Sequence, residues 1–285
     1  MEFYDRKKEL SYFRSLTQSK QLIVMYGRRR VGKTSIVKEL LKTKKGIYFF
    51  VETQDKDSLL LFFSNTIAEQ KGYNIKFSDW DSFFKYLLEN FDLIVFDEFQ
   101  NFERVDKSLF SKLQNIWDDS KTKTTLILIG SYTGMMKKIF EDAKEPLFGR
   151  ADNIIDLRHF TFQDTYDMLK DFGYNIEQSV ELYSVFDGIP KYLLYCRKKK
   201  EVYELINSLF LDDFAPLKEE GKNLLVGEFG SEHRGYFSVL AAIGTHAKTQ
   251  GEIIDKSGLD KDKVGKYLFD LREIYNICEK QQIVI

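Results

Sequence analysis

Short apolar runs alternate with helical patterns in the first half of the chain and predict strands. The runs cover residues 22–26, 46–53, 91–98, 125–131 and 153–157. Several of them are nearly continuous in apolar residues, which is typical of strands that are buried on both faces of a parallel sheet. Segments between the runs, such as residues 58–70, repeat apolar residues at helical spacing. The pattern therefore predicts an α/β region with a parallel sheet.

After residue 160 these apolar runs end, and the pattern predicts helices. Residues 161–220 are predicted as a small helical segment that is broken at Gly188 and resumes as a helix at Pro190. Residues 221–285 predict three further helices, which is typical of a helix-turn-helix. We interpret residues 278–285 as the start of a wing hairpin. The predicted domains cover residues 1–160, 161–220 and 221–285.

A glycine-rich loop joins the first predicted strand to the helix that follows it. Residues 27–34 read GRRRVGKT, the complete pattern G-x-x-x-x-G-K-T of a P-loop. Its glycines let backbone N–H groups point inward at a phosphate, and the next helix adds the positive end of its dipole. Lys33 is predicted to contact the β- and γ-phosphates, and Thr34 to offer its hydroxyl to Mg²⁺. The predicted nucleotide-binding residues here are Gly27, Arg28, Arg29, Arg30, Val31, Gly32, Lys33, Thr34 and Ser35.

Two acids end the third predicted strand. Asp97 and Glu98 follow the apolar run, where the carboxyl end of a parallel strand carries functional groups. An acidic pair at a strand end is common by itself, but after a P-loop it favours a Walker B motif. Asp97 is then predicted to orient Mg²⁺ through its water shell, and Glu98 to act as the general base toward the attacking water.

Ser131 and Arg150, which follow later in the chain, are candidate contacts to the γ-phosphate. Ser131 ends the fourth predicted strand and fits a sensor position, if that strand inserts between the first and the third; a plain strand-end turn is the alternative. Arg150 precedes the fifth strand and is a candidate arginine finger, acting in its own chain or in a neighbouring one. A surface arginine is the alternative for Arg150. The predicted catalytic residues are Glu98, Lys33, Ser131 and Arg150.

Composition excludes several classes of protein. The 285 residues are 43% hydrophobic and 31% charged, which describes a globular chain and neither a disordered nor a membrane protein. The N-terminus is charged from its second residue and lacks the apolar core of an export signal, so a cytoplasmic location is expected. The two cysteines, Cys196 and Cys278, lie far apart and are expected to be free thiols.

Charge leaves the role of the predicted helix-turn-helix open. Lys261, Lys263 and Lys266 decorate its third helix, as a contact to duplex DNA would require. From Gly221 onward, however, nine basic residues meet nine acidic ones, so no basic stripe is present. Binding of duplex DNA and contact with a protein partner both stay possible functions of this part.

Several segments together resemble the archaeal ATPase family, a STAND-like branch of the AAA+ group. They are YDRKKEL at 4–10, LIVMYGRRRVGKTSIV at 22–37, LIVFDEFQNF at 93–102, LILIGSYTGMM at 126–136, PLFGRAD at 146–152, FDGIPKYL at 186–193 and YFSVLAAIG at 236–244. The resemblance spans nearly the whole chain. It implies an αβα P-loop core, a small helical lid and a C-terminal winged helix.

The resemblance also implies roles for individual residues. Residues 27–34 would be Walker A, Asp97 and Glu98 Walker B, Ser131 the sensor, and Arg150 the arginine of the GR motif. Pro190 would lie near the base or ribose, and Arg6 matches an N-terminal box that often approaches adenine. Members of the family often continue into a nuclease-like domain. This chain stops at Ile285, as either a short member or a truncated product would, so the chemistry of such a domain is not assigned to it.

The sequence thus predicts Mg²⁺-dependent hydrolysis of ATP, coupled to movement of the lid and the winged helix. ATP is favoured over GTP by the resemblance, and the guanine-reading motif N-K-x-D is absent. Two alternatives stay open: a nucleotide-gated switch with negligible turnover, and a DNA-binding regulator. A protein partner or a homo-oligomer is compatible with each of these predictions, and no membrane contact is expected.

Overall fold

The computed structural model describes residues 6–274, and of residues 228, 273 and 274 it describes the backbone alone. The chain forms two compact units that divide between Lys199 and Lys200. The segment predicted as a lid, residues 161–220, spans this division, and its extent stays a prediction.

The first unit is built on a parallel sheet. Its strands are β1 Gln21–Tyr26, β2 Gly46–Phe50, β3 Leu93–Asp97, β4 Thr125–Gly130 and β5 Asn153–Asp156. Its helices are α1 Lys7–Leu16, α2 Lys33–Leu41, α3 Lys56–Lys71, α4 Trp80–Asn90, α5 Phe102–Val105, α6 Ser108–Asp119, α7 Thr133–Glu141, α8 Phe162–Asp171, α9 Ile176–Phe186 and α10 Pro190–Leu193. The predicted α/β architecture is confirmed.

The strand order brings the predicted motifs to one edge of the sheet. Among the described residues the order is β2-β3-β4-β1-β5, and every neighbouring pair is parallel. β4 therefore lies between β3 and β1, as predicted. Because Tyr26 pairs with Gly130 and Phe50 pairs with Asp97, the carboxyl ends of these strands are level with one another. The loops that follow them share one site.

Each face of the sheet has its own apolar core. Along β1, Leu22, Val24 and Tyr26 enter one core while Ile23 and Met25 enter the other, because successive side chains of a strand point to opposite faces. The first core is rich in aromatic rings and packs against α3, α4, α6 and α7. The second is aliphatic for the most part and packs against α1 and α2. The helix that carries Lys33 and Thr34 is thus seated firmly on the sheet.

Capping residues define several helix starts. Asp79 accepts a hydrogen bond from the backbone N–H of Ser82 at the start of α4. Thr161 and Asn175 form capping boxes at the starts of α8 and α9. α10 begins at Pro190, as the sequence predicted.

The second unit is helical in its described part. Its helices are α11 Val202–Phe210, α12 Glu220–Phe229, α13 His233–Gly244, α14 Gln250–Ser257 and α15 Lys261–Phe269, followed by a π-helical turn Asp270–Ile274. The three helices predicted after residue 221 correspond to α13, α14 and α15, which pack around a core that includes Val239, Ile253 and Val264. The predicted wing at 278–285 lies outside the described residues, so the winged helix stays a prediction.

Among residues 6–274, no helix combines the length and the apolar composition that crossing a bilayer would require.

Candidate functional site

The P-loop has the backbone geometry that its two glycines allow. Gly27 and Gly32 have φ angles of 151° and 101°, in the region that favours glycine. A Cβ on Gly27 would lie 2.3 Å from the carbonyl oxygen of Leu157, which directly follows β5. Any side chain at position 27 would therefore displace the strand next to the loop.

Lys33 folds back over the loop that it follows. Its Nζ donates hydrogen bonds to the carbonyl oxygens of Gly27 at 2.6 Å and Arg28 at 2.9 Å, and the residue is buried. These bonds hold the ammonium group across the concave side of the loop. A phosphate in the loop would be within reach of a group that already points at its position.

Asp97 lies at the end of β3 and collects three hydrogen bonds. Its Oδ2 accepts bonds from the hydroxyls of Thr34 and Tyr48, both at 2.7 Å, and its Oδ1 accepts one from the backbone N–H of Glu98. Burial, and then the adjacent Asp97 carboxylate, raise the pKa of Tyr48, so the phenol stays a donor. The Asp97 side chain is therefore fixed in place against the start of α2.

Glu98 is held by two donors in a left-handed backbone conformation. Its φ is 57°, which is uncommon for a residue with a side chain. Ser131 donates to its Oε1 at 2.7 Å, and Gln100 donates to its Oε2 at 2.5 Å. The other amide atom of Gln100, Oε1, is buried and has no hydrogen-bond partner within the part of the chain that the structure describes. The predicted base and the predicted sensor are thus in direct contact.

Four of the residues described so far line a cavity of about 900 Å³. They are Lys33, Thr34, Glu98 and Ser131, and we call them the polar end of the cavity. We define its apolar end as Phe160, Met168, Pro190 and Leu194, which come from the loop after β5, from α8 and from α10 and the turn after it. Asp97 does not line the cavity itself and reaches it through Thr34.

Arg6 joins the P-loop to the apolar end. Its guanidinium donates to the carbonyl oxygens of Val31 at 3.0 Å and of Arg158, and lies 4.7 Å from the centroid of the Phe160 ring. Arg6 is buried, and its Nε has no hydrogen-bond partner among the described residues. The residue predicted to approach adenine therefore lines the cavity beside an aromatic ring.

The three arginines of the P-loop point to three different segments. Arg28 pairs with Asp187 at 3.5 Å, Arg29 donates to the hydroxyl of Tyr132 at 2.6 Å, and Arg30 lies over the ring of Tyr192. From Arg29 to Ser35 the loop lines the cavity, whereas Gly27 and Arg28 do not.

Arg150 is not brought to the cavity of its own chain. Its Nε donates to both oxygens of Asp118 at 3.0 and 2.9 Å, which fixes it against the end of α6. It is absent from the residues that line the cavity. An action of Arg150 on the nucleotide of a neighbouring chain stays a prediction.

Two of the three lysines predicted to face DNA have acidic partners. Lys263 pairs with Asp260 at 3.3 Å, and Lys266 with Glu232 at 2.9 Å. These pairs reduce the positive charge that α15 offers to a phosphate backbone.

Several site residues were missed by the sequence analysis. They are Tyr48, Gln100, Tyr132, Phe160, Met168 and Leu194. Gln100 had a signal, since it stands two residues after Glu98 at a strand end. The apolar side chains had none, because each belongs to a helix or loop with the ordinary apolar pattern.

The residues suit a magnesium nucleotide. The loop supplies backbone N–H groups and Lys33 for phosphates, and the hydroxyl of Thr34 lies 2.7 Å from a carboxylate oxygen, which gives the hard oxygen ligands that Mg²⁺ prefers. The apolar end offers a surface for a base. The chemistry of both ends therefore fits the predicted ligand.

Comparison with known proteins places this chain among P-loop ATPases. Residues 3–196 match the family model described as an ATPase domain predominantly from Archaea. The uncharacterized protein MJECL04 of Methanocaldococcus jannaschii is 30% identical over 280 residues, a match that covers 95% of this chain. This chain spans 61% of the length of that relative.

Two solved structures are similar in fold. The Walker-type ATPase PABY2304 of Pyrococcus abyssi has a TM-score of 0.74 at 19% identity, covering 95% of this chain and 90% of its own. The ORC2 protein of Aeropyrum pernix, in ADPNP–ADP complexes, has a TM-score of 0.54 at 14% identity, covering 99% and 83%. At these identities the likeness shows the fold alone.

Proposed function

The chain belongs to the family of ATPase domains found predominantly in Archaea, and from that premise we propose that it binds ATP with Mg²⁺ and hydrolyses the β–γ bond by attack of water. One observation carries the proposal: the carboxylate of Glu98 is 2.7 Å from the hydroxyl of Ser131, at the same end of the cavity as Lys33 and Thr34. The candidate base and the candidate sensor are thus in contact, and they line the same cavity as the candidate phosphate-binding residues, which supports the proposal.

The P-loop would hold the phosphates, and Thr34 would hold Mg²⁺ with Asp97 behind it. Once bound, Mg²⁺ would neutralise charge on the β- and γ-phosphate oxygens. The hydrogen bonds of Thr34 and Tyr48 keep Asp97 from rotating, so its carboxylate is already oriented. Lys33 would exchange its bonds to loop carbonyls for bonds to phosphate oxygens.

Glu98 would take a proton from the attacking water. A carboxylate accepts this proton when one of its oxygens is within hydrogen-bond distance of the water. Ser131 donates to Oε1 of Glu98 in this structure and would instead donate to the γ-phosphate when ATP is bound. That exchange would leave Oε1 for the water.

The apolar end would bind the base. Phe160, Met168 and Leu194 offer apolar surface, Pro190 lies beside them, and Arg6 braces Phe160 against the P-loop. Binding of a planar base between such side chains favours a purine by contact area. The choice of adenine over guanine rests on the family resemblance.

Nucleotide state would be coupled to the helical segment through the P-loop arginines. Arg28 contacts Asp187 at the end of α9, and Arg30 contacts Tyr192 within α10. A phosphate that shifts the loop would shift these contacts as well. Coupling to a lid and a winged helix, and the STAND-like placement of the chain, belong to this proposal.

A nucleotide-gated switch is the second candidate, and one observation favours it. Each oxygen of Glu98 already accepts a hydrogen bond, from Ser131 or from Gln100, and these donors compete with a water for the carboxylate. A protein that kept these bonds with ATP bound would hold nucleotide with negligible turnover. Binding of DNA has no comparable support, because Lys263 and Lys266 are paired with carboxylates.

The test is phosphate release from purified protein with Mg-ATP, with and without duplex DNA. We expect turnover by the wild type, loss of nucleotide binding in Lys33→Ala, and binding without turnover in Glu98→Gln. Lys85→Ala and Glu89→Gln change exposed residues of α4 and serve as matched controls that keep wild-type activity.

The outcomes separate the candidates. A wild type that retains nucleotide and releases phosphate no faster than Glu98→Gln would contradict the hydrolase and leave the switch. A rate that changes with duplex DNA would restore DNA binding as a function of the second unit.

A further inference from the structure

We propose that Arg29 contacts the γ-phosphate of bound ATP and stabilises the transition state of hydrolysis in its own chain. The inference rests on the proposed function. It gives to a P-loop residue the role that the sequence pattern assigned to Arg150.

The position of Arg29 places it at the polar end of the cavity. It lines the cavity, and its guanidinium donates to the hydroxyl of Tyr132 at 2.6 Å. Tyr132 directly follows Ser131, whose hydroxyl is 2.7 Å from the Glu98 carboxylate. Arg29 therefore lines the same cavity as Lys33, Glu98 and Ser131, and its partner Tyr132 is the chain neighbour of the candidate sensor.

Among the described residues, Arg29 has no carboxylate partner, whereas Arg28 and Arg150 each have one. Arg28 has the carboxylate of Asp187, and Arg150 has both oxygens of Asp118. Among the described residues, the partners of Arg29 are the hydroxyl and the ring of Tyr132, which are neutral. A positive charge without a carboxylate partner, beside an anion-binding loop, is suited to an anionic ligand.

Tyr132 gives Arg29 a partner that is easily exchanged. A hydrogen bond between a guanidinium and a phosphate is charged on both sides and is stronger than one to a neutral phenol. The γ-phosphate would therefore displace the Tyr132 hydroxyl. Arg150, in contrast, would have to give up a two-oxygen carboxylate pair before it could reach a nucleotide.

The chemistry needs a cation at this point. In the reaction, the oxygen of water bonds to the γ-phosphorus while the bond from that phosphorus to the β–γ bridging oxygen breaks. The water proton passes to Glu98, and ADP leaves with the bond electrons. Charge grows on the γ-phosphate oxygens as this happens, and a guanidinium that donates to them lowers the barrier.

The experiment compares affinities for a non-hydrolysable ATP analogue and for ADP, together with the hydrolysis rate. In Arg29→Gln we expect affinity for the analogue to fall roughly 10-fold or more while affinity for ADP stays within about twofold, because ADP has no γ-phosphate. The rate at saturating ATP should fall about 10³-fold. Arg29→Lys should keep most of the analogue affinity, since it keeps the charge, and lose rate for want of the planar fork.

Arg104→Gln is the matched control, because Arg104 is exposed on α5 and outside the site. Arg150→Gln tests the rival. The proposal is overturned if Arg29→Gln weakens ADP and analogue equally, if it changes neither, or if only Arg150→Gln lowers the rate. A wild type that does not hydrolyse ATP would defeat the proposed function, while the ratio of the two affinities would still decide the γ-phosphate contact of Arg29.

Discussion

The two ends of the cavity are held in place by different interactions. At the polar end, hydrogen bonds of 2.9 Å or less fix Lys33, Thr34 and Ser131 to their partners. At the apolar end, packing alone positions Met168 and Leu194. This difference indicates that the two sets of residues have separate tasks. A hydrogen-bonded end can fix atoms for chemistry, whereas a packed end offers contact area for affinity.

The largest expected effect tests the polar end. Glu98→Gln keeps the size of the side chain and removes its ability to take a proton, so the hydrolysis rate should fall by about 10²–10⁴-fold. Affinity for ATP should stay close to wild type, because Glu98 is proposed to contact the attacking water and not a phosphate. Single-turnover phosphate release and nucleotide titration check the two quantities. A fall in affinity that matched the fall in rate would show that Glu98 belongs to binding as well.

The next effect tests how closely the turn Leu194–Arg197, which follows α10, is packed. Burial raises the pKa of the Cys196 thiol to about 12 from its ordinary value of 9.0. At pH 8 the thiolate fraction should therefore be roughly 10³-fold lower than in an exposed cysteine, and alkylation correspondingly slow. Because the unfolded thiol ionises first, this group's contribution to stability is complete below pH 9 and is lost as the pH rises toward 12.

Alkylation by iodoacetamide in a Cys278→Ser background checks this prediction, with the denatured protein as the reference. Fast labelling of the folded protein at pH 8 would mean that the turn Leu194–Arg197 opens readily and exposes Cys196. Leu194, which belongs to the same turn, would then be mobile rather than preformed for binding.

A smaller effect is expected for a second residue of the polar end. Tyr48→Phe removes one of the bonds to Oδ2 of Asp97, and loss of such a supporting bond typically lowers metal affinity by about tenfold. A Mg²⁺ titration of phosphate release, with Mn²⁺ binding measured by electron paramagnetic resonance, checks this. Tyr73→Phe, exposed at the end of α3, is the matched control. An unchanged Mg²⁺ requirement would mean that Thr34 and the backbone N–H of Glu98 are enough to orient Asp97.

The smallest effect is expected at the apolar end. Leu194→Ala removes part of a half-buried side chain that lines the cavity, which should lower ATP affinity by about 1 kcal/mol, or roughly fivefold. Calorimetric titration with ATP measures it, with Leu61→Ala on the exposed side of α3 as the control. Unchanged affinity would place the base elsewhere.

The sequence could predict the polar end because its residues follow strands. The P-loop, Asp97, Glu98 and Ser131 each end a buried apolar run, and parallel strands bring their carboxyl ends together. The condition set for the sensor position of Ser131, that β4 lies between β3 and β1, is met.

The apolar end could not be predicted in the same way. Phe160, Met168 and Leu194 come from separate segments, and only tertiary packing brings them together. The pairing of Arg150 with Asp118 could not be predicted either, because nothing in the sequence indicates which residue an exposed acid on a helix will contact. Tyr48 is similar, since an aromatic residue in an edge strand is ordinary.

The central claim is that chemistry and affinity reside in two different sets of residues that line one cavity. The most direct measurement is the single-turnover rate at saturating Mg-ATP, with the dissociation constant measured on the same samples, for wild type, Glu98→Gln and Leu194→Ala. The account predicts that Glu98→Gln loses rate and keeps affinity, while Leu194→Ala loses affinity and keeps the saturated rate within about twofold. If Leu194→Ala lowered the saturated rate as much as it lowered affinity, the two tasks would not be separate.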